Sequence, residues 1–392
     1  MPLRPAFLAL SLAPLAIAGG FRGAPAPADP MVALQQKLAA GAKLPFHPTR
    51  GYLDAVLRKL GISPSSQTLV FSKTSLQSSF INAKNPRGLY FNREVYVGWI
   101  PGAPLLEIMS VDPAQGIQFW TIPNEPKVAA RAKREDDECF RCHGGRGGFP
   151  AATLFVQSSH TAPSGYPRVF SRASLVTPRT PIAQRWGGWY VTGKHGKLRH
   201  LGNEFAEGTD EKHRIDVERG ANRTSLAGKF DVSKYPAPGS DIVALLVAEH
   251  QMHVQNVLTR AGHLLRAGSL DGDDLAQEIA DALLCVGEAA LDDKIVGDPA
   301  FQRAYLAETP KDSRGRSFAE LRLKGRLFQW SFSPMVYSAT FASFPAAMHR
   351  QVRTRIEAAL ASTAPRYRHL TAEDRRAIPE ILAGTKAPGR DR

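Results

Sequence analysis

Cysteine is nearly absent from this chain: three residues in 392, Cys139, Cys142 and Cys285. An odd trio is no disulfide framework. There is no second C-x-x-C, so a four-ligand zinc site with paired spacing has no support. No run of lysine and arginine interleaves with aromatic residues, which argues against nucleic-acid binding. Beyond the first residues, no stretch is apolar for long enough to span a bilayer. No internal repeat stands out.

What is present is an ordinary globular balance, with 43% hydrophobic and 22% charged residues. The formal net charge is +14. A basic surface of this kind suits an acidic partner, expected here to be a redox protein, while membrane association is possible but not indicated. The N-terminus reads Met1-Pro-Leu-Arg4, then an apolar run closing on Ala16-Ile17-Ala18. A positive start, a short apolar core and an A-x-A-like end make a signal peptide, with cleavage expected near Ala18 and the periplasm as destination. Residues 19–30 read as a flexible mature N-terminus.

The first two cysteines lie in Cys139-Phe-Arg-Cys142-His143. This C-x-x-C-H spacing lets two thiols bridge the two vinyl groups of one haem, each forming a thioether, and carries the histidine beneath the iron. With so few cysteines, chance would produce the pattern about 6 × 10⁻⁴ times in such a chain. The motif follows the charged run Arg131–Glu138 and precedes Gly144-Gly-Arg-Gly-Gly148. That setting lacks the strand-then-helix context of a thioredoxin-like site. One covalent haem c is therefore expected, on Cys139 and Cys142, with His143 as proximal iron ligand. Cys285 reads as a buried structural thiol.

Periodicity divides the chain in two. Residues 31–39 and 52–61 have helical spacing, with Gly61 as a stop. Residues 67–71, 88–91, 94–100, 105–111 and 116–122 read as strands, and Asp112-Pro-Ala-Gln115 as a turn. Three more strands are expected at 152–156, 167–171 and 188–192. From Gly239 the pattern becomes helical: a helix capped by Ser240 and running to Gly268, capping boxes at Ser317–Glu320 and Thr371–Asp374, and first-turn prolines at 334 and 345. The expected fold is α+β. An antiparallel, β-rich region over 31–238 carries the haem loop, a helical region over 239–383 packs on it, and 384–392 is a frayed basic tail.

The other face of the iron has several candidates: Met252, Met335, Met348, His160, His195, His200, His250 and His253. The helix after Ser240 places His250 on its apolar stripe, so His250 is the favoured distal ligand and His200 the alternative. A satisfied core histidine is the competing reading. Glu249-His250-x-x-His253 also reads as half of a metal site that lacks a partner helix. Arg185 and Arg199 are candidates to pair with the haem propionates, because guanidinium matches a carboxylate bidentately. They lie in Arg185-Trp-Gly-Gly-Trp-Tyr190 and Lys194–Asn203, which equally read as a tight turn with core tryptophans and surface base residues.

The haem pentapeptide resembles that of c-type cytochromes. Around it, Asn85-Pro-Arg-Gly-Leu-Tyr-Phe-Asn92 with Val95–Trp99, Arg185–Thr192, Arg199-His-Leu-Gly-Asn203 and Glu249-His-Gln251 are similar to a group of large single-haem proteins of bacterial periplasms. That resemblance implies the attachment cysteines and the proximal histidine, and no particular activity. A single haem site, an export signal and a basic surface point to a periplasmic monohaem electron carrier. The alternatives are a haem enzyme of peroxidase or oxygenase type, with His200 or His250 as acid or base, and a haem-based sensor.

Overall fold

The computed structural model describes residues 29–144, 151–169, 174–268 and 272–385. The segment read as a signal peptide, residues 1–18, and the tail after residue 385 lie outside the described residues. The described chain opens on Asp29, which is buried and caps helix α1 (Pro30–Ala39) by accepting from Met31 N and from Ser110 Oγ. Asp29 and Pro30 therefore belong to the folded unit and not to a loose N-terminus. Helix α2 (Leu53–Lys59) follows, and Gly61 after it has φ +67°, the left-handed stop its sequence predicts.

Strands β1 (Thr68–Val70), β2 (Arg87–Phe91), β3 (Val95–Trp99), β4 (Leu105–Asp112), β5 (Gly116–Pro123) and β6 (Lys133–Glu135) form a meander. Every pairing is antiparallel, and β9 (Trp189–Tyr190) completes seven strands in the order β6-β5-β4-β3-β2-β1-β9. The β4–β5 hairpin turns at Asp112, whose carboxylate accepts from Ala114 N and Gln115 N. Helix α3 (Asp137–His143) leaves the sheet edge after β6. Then β7 (Val156–Ser158) pairs with β8 (Ser174–Val176). The strand expected at 152–156 is thus shifted to begin at Val156. Of the stretch 167–171, residues 170 and 171 lie outside the described residues, and Pro167 makes only an isolated bridge to Thr161. A small ribbon, β10 (Glu207–Gly208) and β11 (His213–Arg214), and helix α4 (Val217–Gly220) lead to the helical half.

That half comprises α5 (Ile242–Ala267), α6 (Gly272–Leu283), α7 (Pro299–Ala307), the hairpin β12 (Leu321–Lys324) and β13 (Arg326–Phe328), α8 (Ala339–Ala342), α9 (Ala346–Ala361) and α10 (Ala372–Gly384). The α+β expectation holds, with helices mostly C-terminal. Three details differ. Asp241, not Ser240, caps α5, because the Ser240 hydroxyl is used between strands: it donates to Tyr190 O and accepts from Leu69 N. Ser317–Glu320 makes capping-type bonds, Ala319 N to Ser317 Oγ and Ser317 N to Glu320 Oε2, but around a turn that feeds β12. Pro345 occupies the cap position of α9 rather than its first turn. Thr371–Asp374 is a complete capping box.

The sheet buries both faces. One face, with Leu106, Ile108, Trp120 and Ile122, packs on Met31, Leu34, Leu53 and Val56 of α1 and α2. The other, with Phe91, Tyr96, Val111 and Phe119, shares a cluster with Val243, Leu246, Val247 and Met252 of α5. The later turns of α5, through Val254, Leu258 and Ala261, enter the helical core with α6, α9 and α10. One 26-residue helix therefore belongs to both cores. No helix among the described residues is long and apolar enough to cross a membrane.

Candidate functional site

Helix α3 is short, and none of its residues is buried. Its charges suit the helix dipole: Asp137 and Glu138 stand in the first turn, Arg141 and His143 in the last. Cys139 and Cys142, three apart, are neighbours on one face, with Cβ atoms about 5–6 Å apart for such a pair. Cys139 leans against the core that the sheet shares with α5, while Cys142 is exposed. Burial, and then the nearby carboxylates of Glu107 and Glu135, push the Cys139 thiol up to about 11. Phe140 anchors the helix edge-on against Phe119, with ring centroids 5.8 Å apart. Gly144 ends it where only glycine fits: a Cβ there would lie 2.5 Å from the Phe140 ring and 2.9 Å from the Phe140 carbonyl oxygen.

His143 is held from several sides. Its Nδ1 lies 2.8 Å from the Thr153 carbonyl oxygen, which can only accept, so Nδ1 carries the proton and Nε2 the lone pair. Thr153 N and Oγ1 both donate to the His143 carbonyl, at 2.9 and 3.2 Å. Phe155 stacks on the imidazole at 4.5 Å and Phe119 lies at 5.2 Å. The Thr153–Phe155 segment is itself fastened to α5. Leu154 N donates to Asn256 Oδ1 at 2.9 Å, and Asn256 Nδ2 donates to Leu154 O at 2.7 Å. The asparagine amide thus pairs with this segment as a neighbouring strand would.

These residues fit a haem c. Two thiols share one helix face. The adjacent histidine donates its far ring N–H to a main-chain carbonyl, the arrangement that orients metal-ligating histidines and raises their basicity. Sequence reasoning found the pentapeptide but neither Thr153 nor Asn256, because nothing local marks a carbonyl ten residues on or an amide 102 residues beyond Leu154.

The arginines proposed for the propionates have other partners. Arg185 is buried, its Nη1 2.6 Å from Glu249 Oε2, its Nε and Nη2 on the carbonyls of Thr180 and Pro178. Glu249 also accepts from Trp186 Nε1 at 2.6 Å. Arg199 lies towards solvent and pairs with Glu218 through Nε and Nη2, while Nη1 donates to Gly196 O and Leu198 O. In this structure Arg185 makes a buried ion pair and Arg199 one towards solvent. Trp186 and Trp189 are core residues, as the competing reading of that turn expected.

His200 is buried against Trp186 and His195. Its Nδ1 accepts from Gly202 N, and its Nε2 finds no partner among the described residues. Burial, then the neighbouring His195 and Arg199, hold it down to about 3, so it is neutral. His195 bonds Leu198 O and Asn222 N. His160 pairs with His213 at 2.8 Å. Met252, Met335 and Met348 are core residues.

His250 is fully buried, and both its ring nitrogens are engaged. Nδ1 lies 2.7 Å from Glu288 Oε1 and Nε2 lies 2.7 Å from Ser333 Oγ. The structure groups it with Glu288, Ser333 and Cys285 in a second cluster, and not with Cys139, Cys142 and His143. Burial works against ionisation of Glu288, but the charge interaction and the hydrogen bond it has with His250, and then the neighbouring His253 and Arg185, outweigh that and hold its carboxyl below the usual range. His253, one turn along α5, is lowered to about 4 by burial and then by His250. Comparison of the chain with protein-family models, with curated proteins and with solved structures returned no match.

Proposed function

We propose that the protein is an exported, periplasmic, monohaem c-type cytochrome that transfers single electrons. The observation that carries this reading is the pairing of Cys139 and Cys142 on one turn of α3 with a His143 whose Nδ1–H is held by the Thr153 carbonyl. Haem, when bound, supplies reversible one-electron oxidation of its iron. The chain does the rest. Cys139 and Cys142 fix the macrocycle. His143 would offer Nε2 to the iron, oriented by Thr153 and by the rings of Phe119 and Phe155. Because α3 is unburied, a group attached to it has an edge near the surface, where an electron can pass to a docked partner. The net charge of +14 favours an acidic one.

The test is expression with the haem-attachment machinery present, followed by acid-acetone extraction. One haem per chain should stay with the protein, and the mature chain should begin near Gly19. Cys142→Ala should lose its second thioether, and Cys139→Ala/Cys142→Ala all covalent pigment. A wild-type protein that gives up its colour on extraction refutes the attachment. A reduced spectrum of five-coordinate high-spin type refutes the carrier role.

A further inference from the structure

The half-site on α5 has its missing partners, and they come from a turn instead of a helix. His250, Cys285 and Glu288 bring one ligand atom each to within 4.8 Å of one another. They line a cavity of about 600 Å³ behind α5. From these three residues we infer a second, non-haem metal site that takes one divalent ion of borderline softness, of the zinc, cobalt or iron(II) class.

The donor set selects the ion. A nitrogen, a sulfur and a carboxylate oxygen suit zinc and its neighbours, while magnesium and calcium ask for oxygen alone. Charge agrees as well: one thiolate and one carboxylate neutralise a divalent cation. The fit needs little movement. His250 Nδ1 and Glu288 Oε1, now 2.7 Å apart, must part to about 3.3 Å to share a tetrahedral ion. On binding, the Cys285 thiol releases its proton to solvent. The His250 proton moves from Nδ1 to Nε2, where Ser333 Oγ accepts it as an outer partner. Three protein ligands leave a fourth position facing the cavity. Arg326 and Arg366 also line that cavity, each paired with a carboxylate.

The backbone at Cys285 is the second, independent sign. Helix α6 ends in a Schellman turn: Val286 N donates to Asp281 O, and Cys285 N to Ala282 O. The residue between these bonds takes the left-handed conformation that glycine adopts freely, yet here it is Cys285, at φ +55°. A side chain held there carries backbone strain that the surrounding fold must offset, as five other non-glycine residues do among those described. The turn aims that thiol into the cavity beside His250 and Glu288.

Glycine at this position also gives a clean test. Cys285→Gly relieves the backbone, so it should fold at least as well as wild type. The haem-loaded protein, freed of other metals by chelator, is titrated with Co²⁺ and desalted. Wild type should retain one cobalt per chain, with a thiolate-to-cobalt charge-transfer band in the difference spectrum. Cys285→Gly should lose the band and bind at least about tenfold more weakly, and Glu288→Gln should keep the band with weakened binding. A wild-type protein that retains no cobalt overturns the proposal. So does an unchanged band in Cys285→Gly, which would show that a thiol of Cys139 or Cys142 is still free of haem and holds the metal.

Discussion

Two helices carry the chemistry of this molecule, and they are built in opposite ways. Helix α3 is seven residues long and has no buried residue; it is held by the rings of Phe119 and Phe155 against Phe140 and His143, by the lean of Cys139 on the core, and by the grip of Thr153 on its last residue. Helix α5 is 26 residues long and runs through both cores. Its polar residues Glu249, His250 and Gln255 are buried and hydrogen-bonded. A site whose binding group is attached covalently needs little from the fold except a correctly presented motif. A site made only of side chains must be paid for in buried polar contacts, each of which has to be satisfied.

Substitutions can break this contrast. The largest effect is expected at the Arg185–Glu249 pair. Glu249→Ala leaves a buried guanidinium and the Trp186 indole N–H without their acceptor, and should cost about 3–5 kcal/mol in urea unfolding. A loss below about 1 kcal/mol would mean that water reaches the pair. Ser333→Ala comes next. It strips His250 Nε2 of its partner in the core and should cost about 1–3 kcal/mol.

Acid sharpens the comparison further. His200 and His253 are held neutral in the folded chain, down to about 3 and about 4 respectively, by burial first. The unfolded chain takes up protons at both near the ordinary value of 6.5. Their depressed values therefore contribute stability that is complete above 6.5. It is lost as pH falls from there towards 4 for His253 and towards 3 for His200. His253→Gln should flatten the upper part of that slope, measured as unfolding midpoint against pH. An unaltered slope would mean that His253 titrates normally. The smallest effect is at the surface: Arg199→Ala should leave the midpoint unmoved, because its pair with Glu218 lies in solvent.

Much of this was legible in the sequence. The meander β2–β5 follows from alternating β-branched and aromatic residues with Asp112 at the turn, and α5 from its apolar stripe. The pentapeptide was legible because it is local. The second cluster was visible only as Glu249-His250-x-x-His253, since its other half lies 35 residues after His250, in a turn with no motif of its own. Cys285 read as a buried thiol because no rule of spacing says that a helix will end on a left-handed cysteine. The arginines' partners were hidden for the opposite reason. Guanidinium chemistry fits a propionate, but it fits a protein carboxylate equally well, and Glu249 and Glu218 are nearer in the fold. The capping pattern at Ser317 formed its hydrogen bonds without a helix, because those bonds also close a turn before β12.

The double hydrogen bond between Asn256 and Leu154 couples the two helices mechanically. It fixes the peptide next to the carbonyl that grips His143, so the tilt of the imidazole is set from the rigid body of α5 and not by the short helix that bears it. Removing that amide, as in Asn256→Ala, slackens the tether without altering any residue of the Cys139–His143 motif. If His143 ligates a haem iron as proposed, the midpoint potential becomes adjustable from Asn256, whose link to the imidazole runs through the main chain of Leu154 and Thr153.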